Sequence, residues 1–347
     1  MDIREIAKRA KVSTATVSRT INHVPTVDPL LSRRVWKVID ELGYYPNTQA
    51  RALVSGRSRI FGLIVSEITN PFFPEIVQVF EDLAVQHAYE ILLTSTVHEP
   101  KRMELAVRRM IERRVEGVAV MTFGMEDALL ENPRFRTVPL VFVDVGPPVS
   151  HVSNIKIDYH HGIRQAVQHL AALRHRRIAF VTGPLNLKSA VTRRTAFEES
   201  MREIGMEPSP ELIFTGDHTM EGGMRALEHL SALRDRPSGI ICSNDMTAIG
   251  IVRQAYEVGL KIPQDLSVVG FDDIKLAQFT TPPLTTVQMS QAELAKLAFN
   301  ALMNEVRRDS PAPHGTEYTL STNLVLRKST ALAPSPGTGT RHKSHGT

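Results

Sequence analysis

Two groups of residues have the types and spacing to do chemistry. The first is compact: Thr14, Ala15, Thr16, Ser18 and Arg19 fall within six positions, with Asn22 just beyond. On a helix whose N-terminal turns face a nucleic-acid groove, Arg19 can take the O6/N7 edge of guanine with two hydrogen bonds, a contact worth about 1–3 kcal/mol of discrimination. Thr14 offers a hydroxyl and a methyl and Ala15 only a methyl, so both suit methyl contacts or ordered water. Thr16, Ser18 and Asn22 suit phosphate oxygens, which position a protein on a duplex without specifying sequence.

The second group is dispersed: Phe72, Asp144, Asn244 and Asp272 follow short apolar runs, and Arg193 lies in the first turns of a helix after the run that ends at Val181. A guanidinium and a carboxylate turned to one space suit paired hydrogen bonds to ligand hydroxyls, with an aromatic ring available as a wall. None of them forms a nucleophile–base pair. The thirteen histidines show no metal-ligand grouping with cysteines or carboxylates. The expectation is a binding protein without catalytic residues, metal or cofactor. GPLNLKS at 183–189 lacks the second glycine of a phosphate loop, with Leu187 in its place.

Three helices fit the first 42 residues. Asp2 and Glu5 make a capping-box arrangement, and Ile3, Ile6, Ala7 and Ala10 share one face. Ser13 caps a second helix that buries Val17 and Ile21. Asp28-Pro29 starts a third, carrying Val35, Val38, Ile39 and Leu42, and Gly43 ends it. Two short helices, a three-residue connection and a supporting helix describe an all-α helix-turn-helix domain over 1–46. Asn47 to Val54, in a linker over 47–58, is long enough for one short helix, too short to be stable alone in water.

From residue 59 short apolar strands alternate with amphipathic helices, the pattern of parallel sheets covered on both faces. Strands are expected over 60–65, 90–94, 117–121, 140–143, 178–181, 213–215, 239–242 and 266–270. Helices are expected over 73–87, 101–113, 161–173, 191–204, 220–230 and 246–258. About ten strands suit two doubly wound lobes better than one sheet. The expectation for 59–330 is an α/β two-lobed domain with a ligand cleft at the carboxyl ends of its strands. The tail, 331–347, rich in Pro, Gly, Ser and Thr, is expected to be disordered. Asp245 and Asp273 are open to purely structural roles, as helix cap and turn former. Asp144 is as open to a structural role as to ligand contact, and Arg193 could instead pair with Glu198 or Glu199.

Charge is unevenly distributed. Residues 1–58 hold ten Lys/Arg against five Asp/Glu, residues 59–330 hold 29 against 32, and the tail adds two basic residues. The basic excess therefore sits where a duplex would be read. Cys242 is the one cysteine, so no internal disulfide forms, as expected in a reducing cytoplasm. No apolar run approaches a membrane span, and MDIREIAKRAKVS lacks the apolar core of a signal peptide.

IREIAKRAKVSTATVSRTIN followed by ELGYYPNTQARAL resembles the N-terminal signature of the LacI/GalR family of bacterial regulators. The similarity continues through IFGLIVSEITNPFFPEIV, HRRIAFVTGP, SNDMTAIG, LSVVGFDDI and PPLTTV, over roughly residues 1 to 330. The resemblance implies a helix-turn-helix joined to a periplasmic-binding-protein-like sensor. It implies that Thr14 and Ala15 hold the variable specificity positions and Arg19 a base contact. In the linker it implies a hinge helix in the minor groove, begun at Asn47, with Ala50 one turn before Leu53, which wedges between base pairs at a cost of a few kcal/mol offset by the bend it allows. It places Phe72, Asp144, Arg193, His218, Asn244 and Asp272 around an effector, Arg193 and Asp272 most typically. The family usually has glycine where this chain has Lys11.

The implied function is a cytoplasmic, homodimeric transcription regulator, a repressor, binding a pseudo-palindromic operator in double-stranded DNA. Its operator affinity answers to a small-molecule effector, a sugar or related polyol; a purine or phosphorylated sugar would also use an arginine. Helix 73–87 and the segment Leu276–Leu284 are the expected dimer contacts. A periplasmic-type transport component would share the two-lobed body but would need an export signal and not the first 55 residues. An enzyme would need a base or nucleophile poised in the cleft.

Overall fold

The computed structural model describes residues 3–22, 24–44, 56–97, 99–122, 138–307 and 315–334. The chain divides into two compact units, Met1–Arg59 and Ile60–Thr347.

The first unit holds α1 (Ile3–Ala10), α2 (Thr14–Ile21) and α3 (Pro29–Leu42). Ser13 Oγ caps α2 by accepting from the Thr16 amide at 3.0 Å. Asp28 caps α3 by accepting from the amides of Leu30 (2.7 Å) and Leu31 (3.2 Å), with Pro29 in the first turn. Gly43 ends α3 in the left-handed region at φ 56°. The apolar faces meet in a small core of Ile6, Ala7, Ala10, Val17, Ile21, Val35, Val38 and Ile39. Lys11, in the turn, has φ 48°. A side chain there costs about 1–2 kcal/mol relative to the right-handed region. The turn is held by the Val12 amide bonding to the Ala7 carbonyl and by Arg34 Nη2 donating to the Lys11 carbonyl. The Asp2 cap and the segment Asn47 to Val54, with Asn47, Ala50 and Leu53, lie outside the described residues.

The second unit contains two six-stranded sheets. The first is built from β1 (Ile60–Val65), β2 (Glu90–Ser95), β3 (Gly117–Met121), β4 (Leu140–Val143), β5 (Val152–Asp158) and β11 (Glu317–Ser321), in the order β2-β1-β3-β4-β5-β11. The second holds β6 (Ile178–Thr182), β7 (Ile213–Thr215), β8 (Gly239–Cys242), β9 (Ser267–Asp272), β10 (Thr285–Gln288) and β12 (Asn323–Val325), in the order β7-β6-β8-β9-β10-β12. All pairings are parallel except β10 with β12. The described helices are α4 (Phe73–Gln86), α5 (Pro100–Glu112), α6 (Tyr159–Ala172), α7 (Lys188–Glu203), α8 (Met220–Ala232), α9 (Asp245–Glu257) and α10 (Gln291–Arg307).

The chain passes between lobes three times: from β5 into α6, from β10 into α10, and at Thr322 between β11 and β12. The first and third passages are bonded together. Thr322 Oγ1 donates to the Asp158 carbonyl (2.6 Å) and accepts from the Gly162 amide (3.0 Å). A Cβ on Gly162 would fall 2.3 Å from Val287 Cγ1 and 2.5 Å from Thr322 Oγ1, so glycine is required where the passages touch.

Four strands and a helix exceed the elements expected from sequence: β5, β10, β11, β12 and α10. Polar Asn154 and Lys156 interrupt β5, and TTVQ of β10 carries one large apolar residue, so their pairing is set by neighbouring strands and not by local pattern. The chain also stays docked beyond residue 331. The Ala331 amide bonds to Ser267 Oγ, its carbonyl to His175 Nε2 at 3.0 Å, and the Ala333 amide to the Leu173 carbonyl. Residues 335–347 lie outside the described residues.

Candidate ligand cleft and nucleic-acid face

On α2 the side chains of Thr14, Ala15, Arg19 and Asn22 are exposed, while Thr16 and Ser18 are half-buried. The Arg19 guanidinium has no partner among the described residues, so its five donors remain available to a base edge or phosphate. The Thr16 hydroxyl lies 2.9 Å from Ser13 Oγ and belongs to the capping network, which leaves it less free for phosphate than the sequence suggests.

In the second unit a cavity of about 530 Å³ lies between the lobes, at the carboxyl ends of the strands. Phe72, Arg193, His218, Asn244 and Asp272 line it together. Positions nearly two hundred residues apart converge because each follows a strand or opens a helix at the same edge, the crevice that parallel α/β sheets offer to ligands.

The second lobe supplies the charged centre. Arg193, in the second turn of α7, is 4% exposed. Its Nη1 donates to the Ser243 carbonyl at 2.7 Å, and its Nη2 lies 3.8 Å from Asp272 Oδ1, too far for a hydrogen bond. Its Nε is buried and unbonded among the described residues. It pairs with neither Glu198 nor Glu199; Arg194 takes Glu198 at 2.8 Å. Asp272 ends β9 at φ 109°, well outside ordinary side-chain-bearing conformations. Burial pushes its carboxyl up to about 7, against the opposing pull of Arg193. A guanidinium and carboxylate held just short of bonding leave room for a ligand hydroxyl to satisfy both.

Asn244 lines the cavity, but its amide is committed locally: Oδ1 caps α9 by accepting from the Thr247 amide, and Nδ2 donates to the His218 carbonyl. The cap thus belongs to Asn244 and not to Asp245. Asp245 is fully buried, accepts from Thr286 Oγ1 (2.6 Å) and the Ile274 amide (2.9 Å), and burial raises its carboxyl well above the usual range. Asp273 is tied to Arg327 and Gln288. The His218 ring rests against Gly183, where a Cβ would lie 1.9 Å from Nε2. Phe72 packs edge-on to Phe73.

Asp144 is not among the residues that line the cavity, and its carboxylate is engaged by its own neighbours. One carboxylate oxygen accepts from the Ile157 amide (2.9 Å) and the other from the Tyr159 hydroxyl (2.7 Å). Burial raises its pKa, and these two bonds oppose the rise.

Several lining residues were missed by sequence reading. Ser66, Glu67 and Asn70 follow β1, and Asp217 and Thr219 follow β7. Applying the strand-end rule to every strand would have found them. Glu67 accepts from Thr69 Oγ1 at 2.7 Å. For Asp217, burial is outweighed by hydrogen bonds from Thr219 and Arg225, which hold its carboxyl below the usual range. Glu67, Asp217 and Asp272 share the lining with Arg193, but Asp217 is paired with Arg225 and burial raises the Asp272 carboxyl to about 7.

Residues 2–47 match the profile of bacterial regulatory proteins of the lacI family, and residues 167–330 match that of a periplasmic binding protein-like domain. The chain is 30% identical to the HTH-type transcriptional repressor PurR of Aliivibrio salmonicida, over 88% of this chain and 92% of that protein. It is 31% identical to the HTH-type transcriptional repressor CytR of Escherichia coli, over 96% and 97%. The crystal structure of the Lac repressor dimer bound to operator and the anti-inducer ONPF superposes with a TM-score of 0.85 at 27% identity, covering 95% of this chain and 99% of that one. The chain belongs to the lacI family of bacterial regulatory proteins, non-enzymatic DNA-binding repressors of transcription that answer to a small-molecule effector.

Proposed function

We propose that this regulator controls transcription from a pseudo-palindromic operator, as a cytoplasmic homodimer, in answer to a neutral polyhydroxylated effector, a sugar or related polyol. Thr14, Ala15 and Arg19 read bases, and Thr16, Ser18 and Asn22 hold phosphates. Asn47, Ala50 and Leu53, within linker 47–58, carry the coupling between reader 1–46 and sensor 59–330. The observation that carries the effector reading is the buried Arg193 guanidinium, which faces the cleft with Nε unbonded among the described residues and Asp272 at 3.8 Å. Exposed Val85, Leu276 and Phe279 support pairing through α4 and the segment at 276–279, whereas Leu284 is buried in the core. Among the described residues no helix is long and apolar enough to cross a membrane.

The test has two arms. An operator is selected by the protein from a randomised duplex pool, and melting temperature is recorded against sugars, polyols, nucleosides, purine bases and sugar phosphates. The expected result is a palindromic operator and a melting shift with a neutral sugar or polyol that Arg193→Ala abolishes. A shift confined to purines or phosphates would replace the effector class. Leu53→Ala should weaken operator binding and leave that melting shift in place.

A further inference from the structure

Arg193 is held in an aromatic slot. Its Cζ lies 4.3 Å from the centre of the Phe271 ring and 4.9 Å from that of Tyr159. Among the described residues its one strong hydrogen bond is to the Ser243 carbonyl, so the two rings supply most of what fixes the plane of the guanidinium. Phe271 and Arg193 both belong to the second lobe. Tyr159 is different. It is the first residue of α6, immediately after the chain leaves β5 of the first lobe, and it is 2% exposed.

Its hydroxyl is also bonded into the first lobe. Tyr159 Oη donates at 2.7 Å to Asp144 Oδ2, just past β4, while Asp144 Oδ1 accepts from the Ile157 amide of β5. Lys188, at the start of α7 in the second lobe, donates from Nζ to the Asp144 carbonyl at 2.9 Å. Asp144 therefore gathers contacts from both lobes through its carboxylate and its backbone. One wall of the slot that orients Arg193 is anchored to the opposite lobe from the one that carries Arg193.

We propose that Tyr159 is a positioning residue that makes the direction of the Arg193 guanidinium depend on the setting of the lobes, through its hydroxyl on Asp144. A change in lobe angle pulls on Asp144, turns the Tyr159 ring, and so alters the slot; ligand at Arg193 acts on the lobes by the same contacts. The inference rests on the reading of Arg193 as the ligand-binding group, but its test needs no ligand.

The experiment uses the full-length protein uniformly labelled with nitrogen-15, the Arg193 Nε signal being identified by its loss in Arg193→Lys. Proton exchange at Arg193 Nε and at the Ile157 amide is measured in wild type and in Tyr159→Phe, which keeps the ring and removes the hydroxyl. Losing a hydrogen bond to a charged group corresponds to about tenfold or more in the opening equilibrium. The expected result is that both exchange rates rise by about that factor. If either rate stays within about twofold of wild type, the proposal is overturned, because the hydroxyl then does not link the two sites. Tyr159→Leu, where it folds, should move the Arg193 signal by the Tyr159 share of its ring-current shift while the Phe271 share remains, and an unmoved signal would also overturn the proposal. Failure here leaves the effector reading standing, since that reading is decided separately by the melting shift of Arg193→Ala.

Discussion

The two lobes share one strand order and face the same cleft, yet they contribute different chemistry. The first lobe brings Ser66, Glu67, Asn70 and two phenylalanines, mostly on the loop between β1 and α4. The second brings Arg193, Asp272, Asn244 and Asp217, from four separate segments, and the strongest burial of charge. Topology sets where the cleft lies, and the side chains at strand ends set what it binds. The second lobe is also more tightly built around helices. Cβ atoms on Gly223 and Gly250 would fall 2.0 and 1.9 Å from backbone oxygens of Thr247 and Met220, so α8 and α9 meet backbone to backbone. In the first lobe Gly62 faces the flexible Met110 side chain instead.

That asymmetry is open to direct attack. The largest effect is expected in ligand affinity: Asp272→Ala should cost about 100-fold or more, because it leaves the Arg193 guanidinium buried without a carboxylate. Asn70→Ala, in the first lobe, should cost no more than about tenfold, the value of one neutral hydrogen bond. Titration calorimetry on both variants checks the ranking, and equal losses would break the comparison. Next comes packing. Gly250→Ala should destabilise the fold by about 1–3 kcal/mol in denaturant unfolding, and Gly62→Ala by less, since the thioether can move.

The Asp272 carboxyl also gives stability a pH dependence. The Asp272 carboxyl sits at about 7 in the folded chain, above its ordinary range, so the native state holds a proton that the unfolded chain has released. Its contribution therefore favours the fold in acid and is lost as pH rises from about 4 to about 7. Asp272→Asn should remove that component. Relative to wild type its melting temperature should climb with pH across that window and level off above it. A difference that stays constant with pH would place the Asp272 carboxyl in its ordinary range.

Legibility in the sequence followed the locality of the signal. Ser13, Asp28-Pro29 and Gly43 announce the helices of the reader because capping is decided within four residues. Strands such as β1, β3 and β8 show as unbroken apolar runs because both faces of their sheets are covered. β10 is invisible by that criterion, for its buried Thr285 and Thr286 are satisfied by bonds to distant partners: Arg327 donates from its amide to Thr285, and Thr286 donates to Asp245. In the cleft, Asp272 stands out as a charge directly after an apolar run, and Arg193 as a charge in the first turns of the helix that follows one. The roles of Asp144 and Asn244 do not, because whether a polar group faces ligand or caps its own backbone depends on which neighbour the fold supplies. Tyr159 is hidden for the same reason, its partners lying 15 positions upstream and 34 and 112 downstream.

The most direct measurement of the account is operator affinity in the presence and absence of effector, for wild type and Arg193→Ala side by side. Effector is expected to change wild-type affinity by about 5–150-fold, whereas the variant binds operator as the effector-free protein does and stays within about twofold on addition of effector. An Arg193→Ala protein that still responds fully would contradict it.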